Sequence, residues 1–363
     1  MSKKIFVAST GQNTGKTTTS ISLLYLARRK YQRIGFIKPF GPKLTRYKGQ
    51  DVDVDAALVA HVYDMEDDLS LMSPVVLHSQ TTRKVLDGRL DADHFLVQIE
   101  RAVAELEKKC DFLIIEGAGH SGVGSVVGLS NAYVAKRLNA PVLMIAGGGV
   151  GKVIDDIHLN LSMFREAGAE VRAILPNKLL HAKRDMTLHY LSLAFQKSGI
   201  KVVGGFNYSP ILASPTMTYL SELLKLKLHA DQEQSSRIVL NVQLGAAATQ
   251  RVVDTLLEST LVIVTSSRDE VLVMLATLYH LPEFKNKIAG LLITGMTPVA
   301  DIVQRVLDDA EIPYMRTTET SAKVYTVIQE DVAKIRADDF QKIGLVQQLA
   351  ETELDFEMID SLF

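Results

Sequence analysis

One octapeptide constrains the fold of this chain more than any other segment. It reads Thr10-Gly11-Gln12-Asn13-Thr14-Gly15-Lys16-Thr17, follows the apolar run Ile5–Ser9, and leads into the helical pattern of Thr17–Lys30. The backbone N–H groups of such a loop, together with the N-terminus of a helix, bind phosphate oxygens. The segment departs from the pattern G-x-x-x-x-G-K-[ST] at its first position, which is Thr10. The sequence therefore predicts a site for the phosphates of a nucleotide.

The residue types within this loop predict how ATP and Mg²⁺ would be held. In the pattern, the lysine reaches the β- and γ-phosphates and the following hydroxyl coordinates Mg²⁺, roles that fall to Lys16 and Thr17. The alternative is a chance Gly-Lys-Thr at the start of a helix, which the strand, loop and helix in register argue against. The nucleotide-binding residues predicted in this segment are Gly11, Gln12, Asn13, Thr14, Gly15, Lys16, Thr17 and Thr18.

Short apolar runs alternate with amphipathic stretches of helical length through residues 1–207. Some runs, such as Phe112–Ile115, are continuously apolar, as are strands that are buried on both faces of a parallel sheet. This alternation predicts right-handed βαβ crossovers and a doubly wound α/β sheet. The predicted strands are Ile5–Ser9, Ile34–Lys38, Phe112–Glu116, Val142–Ala146, Val171–Leu175 and Val202–Phe206, and the predicted helices include Thr17–Lys30, Asp93–Lys109 and Lys152–Glu166.

The segment Asn207–Pro215 contains two prolines and several turn-forming residues, which predicts a domain boundary. Beyond it the alternation resumes, with strands near Arg237–Leu240, Thr260–Thr265 and Ile288–Thr294. We therefore expect an α/β domain over residues 1–210 and a smaller α/β domain over 215–335. Residues 336–363 are expected to form a C-terminal helix and an acidic tail.

Composition excludes several classes of protein. The chain has 363 residues and a formal net charge of −2, which argues against a nucleic-acid binder. Its single cysteine, Cys110, excludes an intrachain disulfide and a cysteine-cluster metal site. No apolar run approaches the roughly 20 residues of a membrane span, and a strand pattern beginning at the N-terminus leaves no room for a signal peptide. We expect a cytoplasmic protein with no nucleic-acid or membrane partner.

Charged residues end two other predicted strands, at the edge where open α/β sheets bind ligands. Glu116 there suits Mg²⁺, directly or through water, because Mg²⁺ takes one or two carboxylates together with phosphate oxygens. Lys38 faces the same edge and would steady a phosphoryl group during transfer. Asp51, Asp53 and Asp55 are closely spaced, and we expect at most one of them to bind metal because acidic loops are usually only solvated.

The first ~210 residues resemble the dethiobiotin synthetase family, P-loop enzymes that make dethiobiotin from diaminopelargonate, CO₂ and ATP. The resemblance depends on the loop Thr10–Thr17, the pair Lys38-Pro39, the segments Asp55–Leu58 and Glu116–Gly119, and Asn177. It implies the P-loop doubly wound fold.

The resemblance also implies roles for individual residues. In that family a second lysine contacts the reacting phosphate and carbamate, which here implies a catalytic role for Lys38 beside Lys16. An aspartate and a glutamate complete the Mg²⁺ shell, which implies Asp55 and Glu116 beside Thr17. An asparagine after a later strand reads adenine, and the matching residue is Asn177.

The whole chain is similar to the N-terminal region of long-form phosphotransacetylases and its stand-alone relatives. In these a dethiobiotin-synthetase-like domain precedes a so-called DRTGG domain. The matching segments of the second half are Val262–Asp269, Gly290–Gly295, Thr317–Thr320 and Lys334–Asp339. The name-giving Asp-Arg-Thr-Gly-Gly string is reduced to Arg268-Asp269. The resemblance implies that the acetyltransferase domain would begin where this sequence ends, and we expect that domain to be missing.

Two functions fit these features. The first is a Mg·ATP-binding, nucleotide-responsive regulatory module linked to acetyl-phosphate metabolism, with a possible protein partner. The second is an ATP-dependent ligase that phosphorylates a carboxylate or amine substrate. Against dethiobiotin synthesis, Phe40-Gly41-Pro42 stands where that family usually offers a small hydroxyl residue. A homodimer is expected in either case, because P-loop domains of this type usually pair across the nucleotide face.

Overall fold

The computed structural model describes residues 2–78 and 80–363, which form two compact units. The first unit consists of the chain up to Tyr208 together with Arg336–Phe363, and the second is Ser209–Ile335. The second unit is therefore inserted, in chain order, between two parts of the first.

A parallel sheet forms the centre of the first unit. Its strand order is β10-β9-β8-β1-β7-β2, and a two-stranded antiparallel hairpin, β4-β5, and a short parallel pair, β3-β6, lie outside it. The strands are β1 (Lys3–Ser9), β2 (Ile34–Ile37), β3 (Phe40–Gly41), β4 (Leu44–Tyr47), β5 (Gln50–Asp53), β6 (Val75–Val76), β7 (Phe112–Glu116), β8 (Val142–Gly147), β9 (Val171–Asn177) and β10 (Lys201–Val202).

Helices connect these strands. They are α1 (Lys16–Ala27), α2 (Val54–Val62), α3 (Leu69–Met72), α4 (Thr81–Leu86), α5 (Asp93–Lys109), α6 (Asn131–Arg137), α7 (Val150–Ala167) and α8 (Arg184–Phe195). The helix α7 ends at Gly168, whose φ of 71° is the left-handed conformation that commonly terminates helices. In the part of the chain that the structure describes, no helix is both long and apolar enough to cross a membrane.

The continuously apolar strands lie in the middle of this sheet. Every residue of β7 is buried, and so is every residue of β8 except Gly147. Side chains from β7, β8, α5 and α7 pack into one hydrophobic cluster. The predicted fold class, a doubly wound parallel α/β sheet followed by a smaller α/β domain, is confirmed.

The register of three neighbouring strands brings the charged strand ends together. Val7 of β1 lies opposite Glu116 of β7, and Ile37 of β2 lies opposite Ile115. Because the strands are parallel, Lys38 and Glu116 therefore lie at the same level as Val7, two residues before the end of β1 and the loop that follows it.

The second unit is built on its own mostly parallel sheet, of order β11-β15-β14-β13-β12, in which only the β11-β15 pair is antiparallel. Alternate residues of β13 enter hydrophobic clusters on opposite faces, so helices cover both sides. The strands are β11 (Leu228–His229), β12 (Asn241–Leu244), β13 (Thr260–Thr265), β14 (Ile288–Thr294) and β15 (Tyr314–Arg316). The helices are α9 (Pro210–Ala213), α10 (Met217–Leu224), α11 (Gln232–Ser236), α12 (Thr249–Asp254), α13 (Asp269–Tyr279), α14 (Pro282–Lys287), α15 (Asp301–Asp309) and α16 (Ser321–Glu330).

Two predicted strands are displaced. The strand expected at Arg237–Leu240 is instead β12, which begins at Asn241, because Ile238 and Val239 pair with the backbone of Pro215 and Thr216. The strand expected at Val202–Phe206 ends at Val202, because Gly204 adopts a φ of 83° and its backbone bridges to Leu354. Only glycine adopts this conformation readily.

The C-terminal segment belongs to the first unit rather than forming a separate tail. It contains α17 (Phe340–Glu353) and α18 (Phe356–Leu362). Helix α17 packs against α1, and Glu351 hydrogen-bonds Tyr25 of α1 at 2.6 Å. Asp360 of α18 forms ion pairs with Lys3 at 2.7 Å and with Lys30 at 2.8 Å. Three acidic residues of this segment, Glu351, Glu357 and Asp360, thus pair with basic residues in or near α1.

We expect Asp360→Asn to lower the free energy of unfolding at pH 7 by about 1–2 kcal/mol, because the folded protein holds the pKa of Asp360 below its usual value. Burial would raise the pKa of Asp360, but hydrogen bonds from Lys3, Lys30 and Tyr31 lower it to about 2. The stabilisation is therefore present above pH ~4 and is lost as pH falls towards 2. Urea midpoints measured at intervals from pH 7 to pH 3 test this.

The exposed Asp309, replaced by Asn, is the matched control. An Asp360→Asn variant whose difference from wild type did not change between pH 7 and pH 3 would contradict the assignment.

Candidate functional site

The loop after β1 leads through a left-handed glycine into the N-terminus of α1. Gly15 has a φ of 98°, and α1 begins at the next residue. A Cβ atom on Gly15 would lie 2.0 Å from Nδ2 of Asn177, so a side chain there is excluded by sterics as well as by backbone conformation. The glycine thus allows the loop to turn tightly into the helix N-terminus.

The ammonium of Lys16 lies across this loop. It donates to Oγ of Ser9 at 2.9 Å and to the carbonyl oxygen of Gly119 at 2.7 Å. The carbonyl of Gly119 also accepts from Ser9 at 3.0 Å. Lys16 is therefore buried between the strand ends of β1 and β7, beside the loop from which it is expected to reach phosphate.

Glu116 is the centre of a buried polar cluster. Its Oε1 accepts from Thr17 at 3.1 Å and from Lys38 at 2.7 Å, and its Oε2 accepts from Ser20 at 2.8 Å. The residue is 0% exposed. Ser20 was not predicted from the sequence, although it lies on the same face of α1 as Thr17, three residues later.

Lys38 joins Glu116 to Asp55. Its Nζ lies 2.9 Å from Oδ2 of Asp55, and its side chain is only 3% exposed. Burial acts to lower the pKa of Lys38, but the carboxylates of Glu116 and Asp55 outweigh burial and raise it. Lys38 is therefore a permanent cation at neutral pH.

The three neighbouring aspartates have different positions. Asp55 reaches Lys38, whereas Asp53 caps α2 by accepting from the backbone N–H of Asp55 at 2.9 Å. Burial raises the pKa of Asp53 to about 6, and the nearby charge of Lys38 opposes this rise. Asp51 lies in the hairpin, 3.7 Å from Arg46. Of the three aspartates, Asp55 forms the ion pair with Lys38.

Asn177 lies beneath the phosphate loop with both ends of its amide engaged. Its Nδ2 donates to the carbonyl of Thr14 at 2.6 Å, and its Oδ1 accepts from the backbone N–H of Lys178 at 2.7 Å. In this arrangement Asn177 links β9 to the loop. Its expected contact with adenine stays a prediction, and it requires at least one of these bonds to be exchanged.

The oxygen donors of the cluster fit a magnesium ion. Thr17, Asp55 and Glu116 offer one hydroxyl and two carboxylates, which are the hard ligands that Mg²⁺ prefers. Among the described residues there is no group of three or more His, Cys, Asp or Glu side chains suited to a metal. An ion here would therefore depend on phosphate oxygens for much of its coordination.

Asn131 is a further buried residue that sequence reasoning missed. Its Oδ1 accepts from the N–H of Ala118 at 3.0 Å, while its Nδ2 donates to the carbonyls of Ala118 at 2.6 Å and His120 at 2.7 Å. These three bonds fix the segment that carries Gly119, the acceptor of Lys16. No local pattern predicts this, because Asn131 lies 13 residues away from Ala118.

The fold and this cluster define a P-loop protein with a parallel central sheet. The family model described as an AAA domain matches residues 3–216, more than half of the chain, and the chain belongs to that family. A second family model, the DRTGG domain, matches residues 221–330.

Curated relatives are similar either to nearly the whole chain or to its P-loop part alone. These similarities confirm the resemblance drawn from the sequence. The phosphate acetyltransferase of Nitratidesulfovibrio vulgaris is 22% identical over 371 residues, covering 99% of this chain and 52% of that protein. The chain thus spans about half the length of the phosphate acetyltransferases it matches. The ATP-dependent dethiobiotin synthetase BioD of Methanocaldococcus jannaschii is 25% identical over 177 residues, covering 48% of this chain and 78% of that enzyme.

Among solved structures, that of apo McdA from Cyanthece is 15% identical, with a TM-score of 0.37. The match covers 58% of this chain and 87% of McdA. A TM-score at that level supports no conclusion about this chain.

We expect Asn131→Ala to loosen the segment 117–121, because the backbone groups of Ala118 and His120 lose their buried partners, at a cost of roughly 1–3 kcal/mol. Hydrogen exchange followed by mass spectrometry should show the Ala118 amide exchanging about tenfold faster or more, since each 1.4 kcal/mol is a factor of ten.

Asn286→Ala, which removes an exposed amide, should leave exchange in the segment 117–121 unchanged. Equal exchange in wild type and Asn131→Ala would show that Asn131 does not hold this segment.

Proposed function

We propose that this chain binds Mg·ATP at the loop Thr10–Thr17 and acts as a nucleotide-responsive regulatory module, with its second unit relaying the nucleotide state. The observation that carries the proposal is the convergence of Lys16, Thr17, Lys38 and Glu116 at the carboxyl edge of β1, β7 and β2. The ammonium groups of Lys16 and Lys38 suit the negative charge of a polyphosphate, and the hydroxyl of Thr17 and the carboxylate of Glu116 suit its metal ion.

Each group has a distinct part in this proposal. Lys16 and the N-terminus of α1 hold the terminal phosphates, and Thr17 with Glu116 and Asp55 holds Mg²⁺. The bound ion neutralises phosphate charge. Asn177 supports the loop from below and contributes to base recognition.

The link to acetyl-phosphate metabolism is supported by the similarity to phosphate acetyltransferases over nearly the whole chain. We extend the proposal to a homodimer, which the resemblance to P-loop domains implies, and to a protein partner that senses the nucleotide state. Light scattering with and without Mg·ATP measures the association state.

Lys16→Ala should weaken Mg·ATP binding by about 10- to 100-fold, because a charge-assisted hydrogen bond to phosphate contributes roughly 1.5–3 kcal/mol. Isothermal titration calorimetry with Mg·ATP measures this directly.

Lys152→Ala is a matched control, since Lys152 also follows a glycine at a helix start but pairs with Asp156 of its own helix at 2.5 Å. It should bind as wild type does. Unchanged ATP affinity in Lys16→Ala would refute the assignment of the phosphate loop.

The second candidate is an ATP-dependent ligase, favoured by the buried position of Lys38 beside the phosphate loop and by the match to dethiobiotin synthetase. The segment after Lys38 argues against the substrate of dethiobiotin synthetase. Gly41 packs on Asp53 and leaves no space for a side chain, because a Cβ atom on Gly41 would lie 2.0 Å from Oδ2 of Asp53. No small hydroxyl residue follows Lys38 in the segment 39–42.

We therefore expect diaminopelargonate and bicarbonate to leave ADP formation from Mg·ATP unchanged, because the segment after Lys38 lacks the hydroxyl that the dethiobiotin synthetase family offers its substrate. A coupled assay of ADP release, with and without the two compounds, measures this. Stimulation that is lost in Lys38→Met but kept in Lys43→Met would replace the regulatory proposal with the ligase.

A further inference from the structure

The ammonium of Lys38 occupies the space between the two carboxylates expected to hold the metal. Its Nζ is 2.7 Å from Oε1 of Glu116 and 2.9 Å from Oδ2 of Asp55. The side chains of Glu116 and Asp55 are 0% and 10% exposed. Lys38 thus forms an ion pair with both carboxylates in this structure.

Lys38 cannot leave the two buried carboxylates unless another cation replaces it. Removing one member of a buried ion pair is strongly destabilising because it leaves a charge without compensation. The two carboxylates therefore require a cation at all times. A divalent ion beside the ammonium would be repelled at this short distance, so the carboxylates favour one cation or the other.

The rest of the cluster is arranged so that Glu116 stays in place when its cation changes. Ser20 holds Oε2 at 2.8 Å and Thr17 holds Oε1 at 3.1 Å, and both hydroxyls come from α1. Lys38 itself follows β2 on a flexible four-carbon side chain. The lysine is therefore the member of the cluster whose charged group has the most rotatable bonds.

We propose that Lys38 is an internal counter-ion that excludes Mg²⁺ from Glu116 and Asp55 until nucleotide arrives. The polyphosphate would then accept the ammonium, which would leave Glu116 and Asp55 to hold the divalent ion. Metal binding is consequently obligatorily coupled to nucleotide binding. This inference rests on the proposed nucleotide site, and its test is chosen so that the two fail separately.

The test uses Mn²⁺ as the probe, with free Mn²⁺ measured by electron paramagnetic resonance on the full chain without nucleotide. Lys38→Met should bind Mn²⁺ roughly tenfold or more tightly than wild type, because the neighbouring like charge has been removed. Lys43→Met, which removes an exposed positive charge from the same segment, should match wild type. Equal Mn²⁺ affinity of folded Lys38→Met and wild type would overturn the inference.

A second measurement needs no change at Lys38. Wild type should bind Mn²⁺ weakly without nucleotide, and with a non-hydrolysable ATP analogue it should take up more Mn²⁺ than the analogue binds without protein. Tight stoichiometric binding of Mn²⁺ to nucleotide-free wild type, abolished by Glu116→Gln, would also overturn it. If the analogue fails to bind while Lys38→Met still gains Mn²⁺ affinity, the proposed nucleotide function fails and the competition between the two cations stands.

Discussion

A single buried carboxylate connects the elements that meet at the carboxyl edge of the first unit's sheet. Glu116 is removed from solvent, and a buried charge is tolerated only with a counter-charge and hydrogen bonds. Lys38 supplies the charge from the end of β2, while Thr17 and Ser20 supply hydroxyls from α1. These contacts connect the helix of the phosphate loop to two strands of the sheet, so the electrostatic balance of Glu116 and the geometry of the loop depend on each other.

The sequence predicts this edge of the sheet because the patterns that indicate it are local. The spacing of the loop Thr10–Thr17 is typical of phosphate binding, and continuously apolar strands indicate a parallel sheet. In such a sheet the residues that follow each strand meet at one edge, which is why Lys38 and Glu116 could be placed together before their distance was known. The doubly wound class follows from the same alternation of strands and helices.

Other features depend on packing between distant segments, which periodicity does not encode. Asn131 holds a loop that lies 13 residues before it, and Asn177 engages Thr14 across 163 residues. The predicted strand Arg237–Leu240 differs from β12 by a few residues, because Ile238 and Val239 are apolar and buried but pair outside the sheet. The sequence predicts the acidic C-terminal segment as a region apart from the first domain, because its basic partners, Lys3 and Lys30, are distant from it in the sequence.

The interrupted sequence of the first unit has a consequence for synthesis on the ribosome. Helix α1 is made before Ser209–Ile335, whereas α17, which packs along it, is made only after all of that segment. Domains ordinarily fold in the order in which they are translated. Here the contacts between α1 and α17 have a high sequence separation, which slows their formation. The second unit is therefore translated in full before the first can close its own hydrophobic surface.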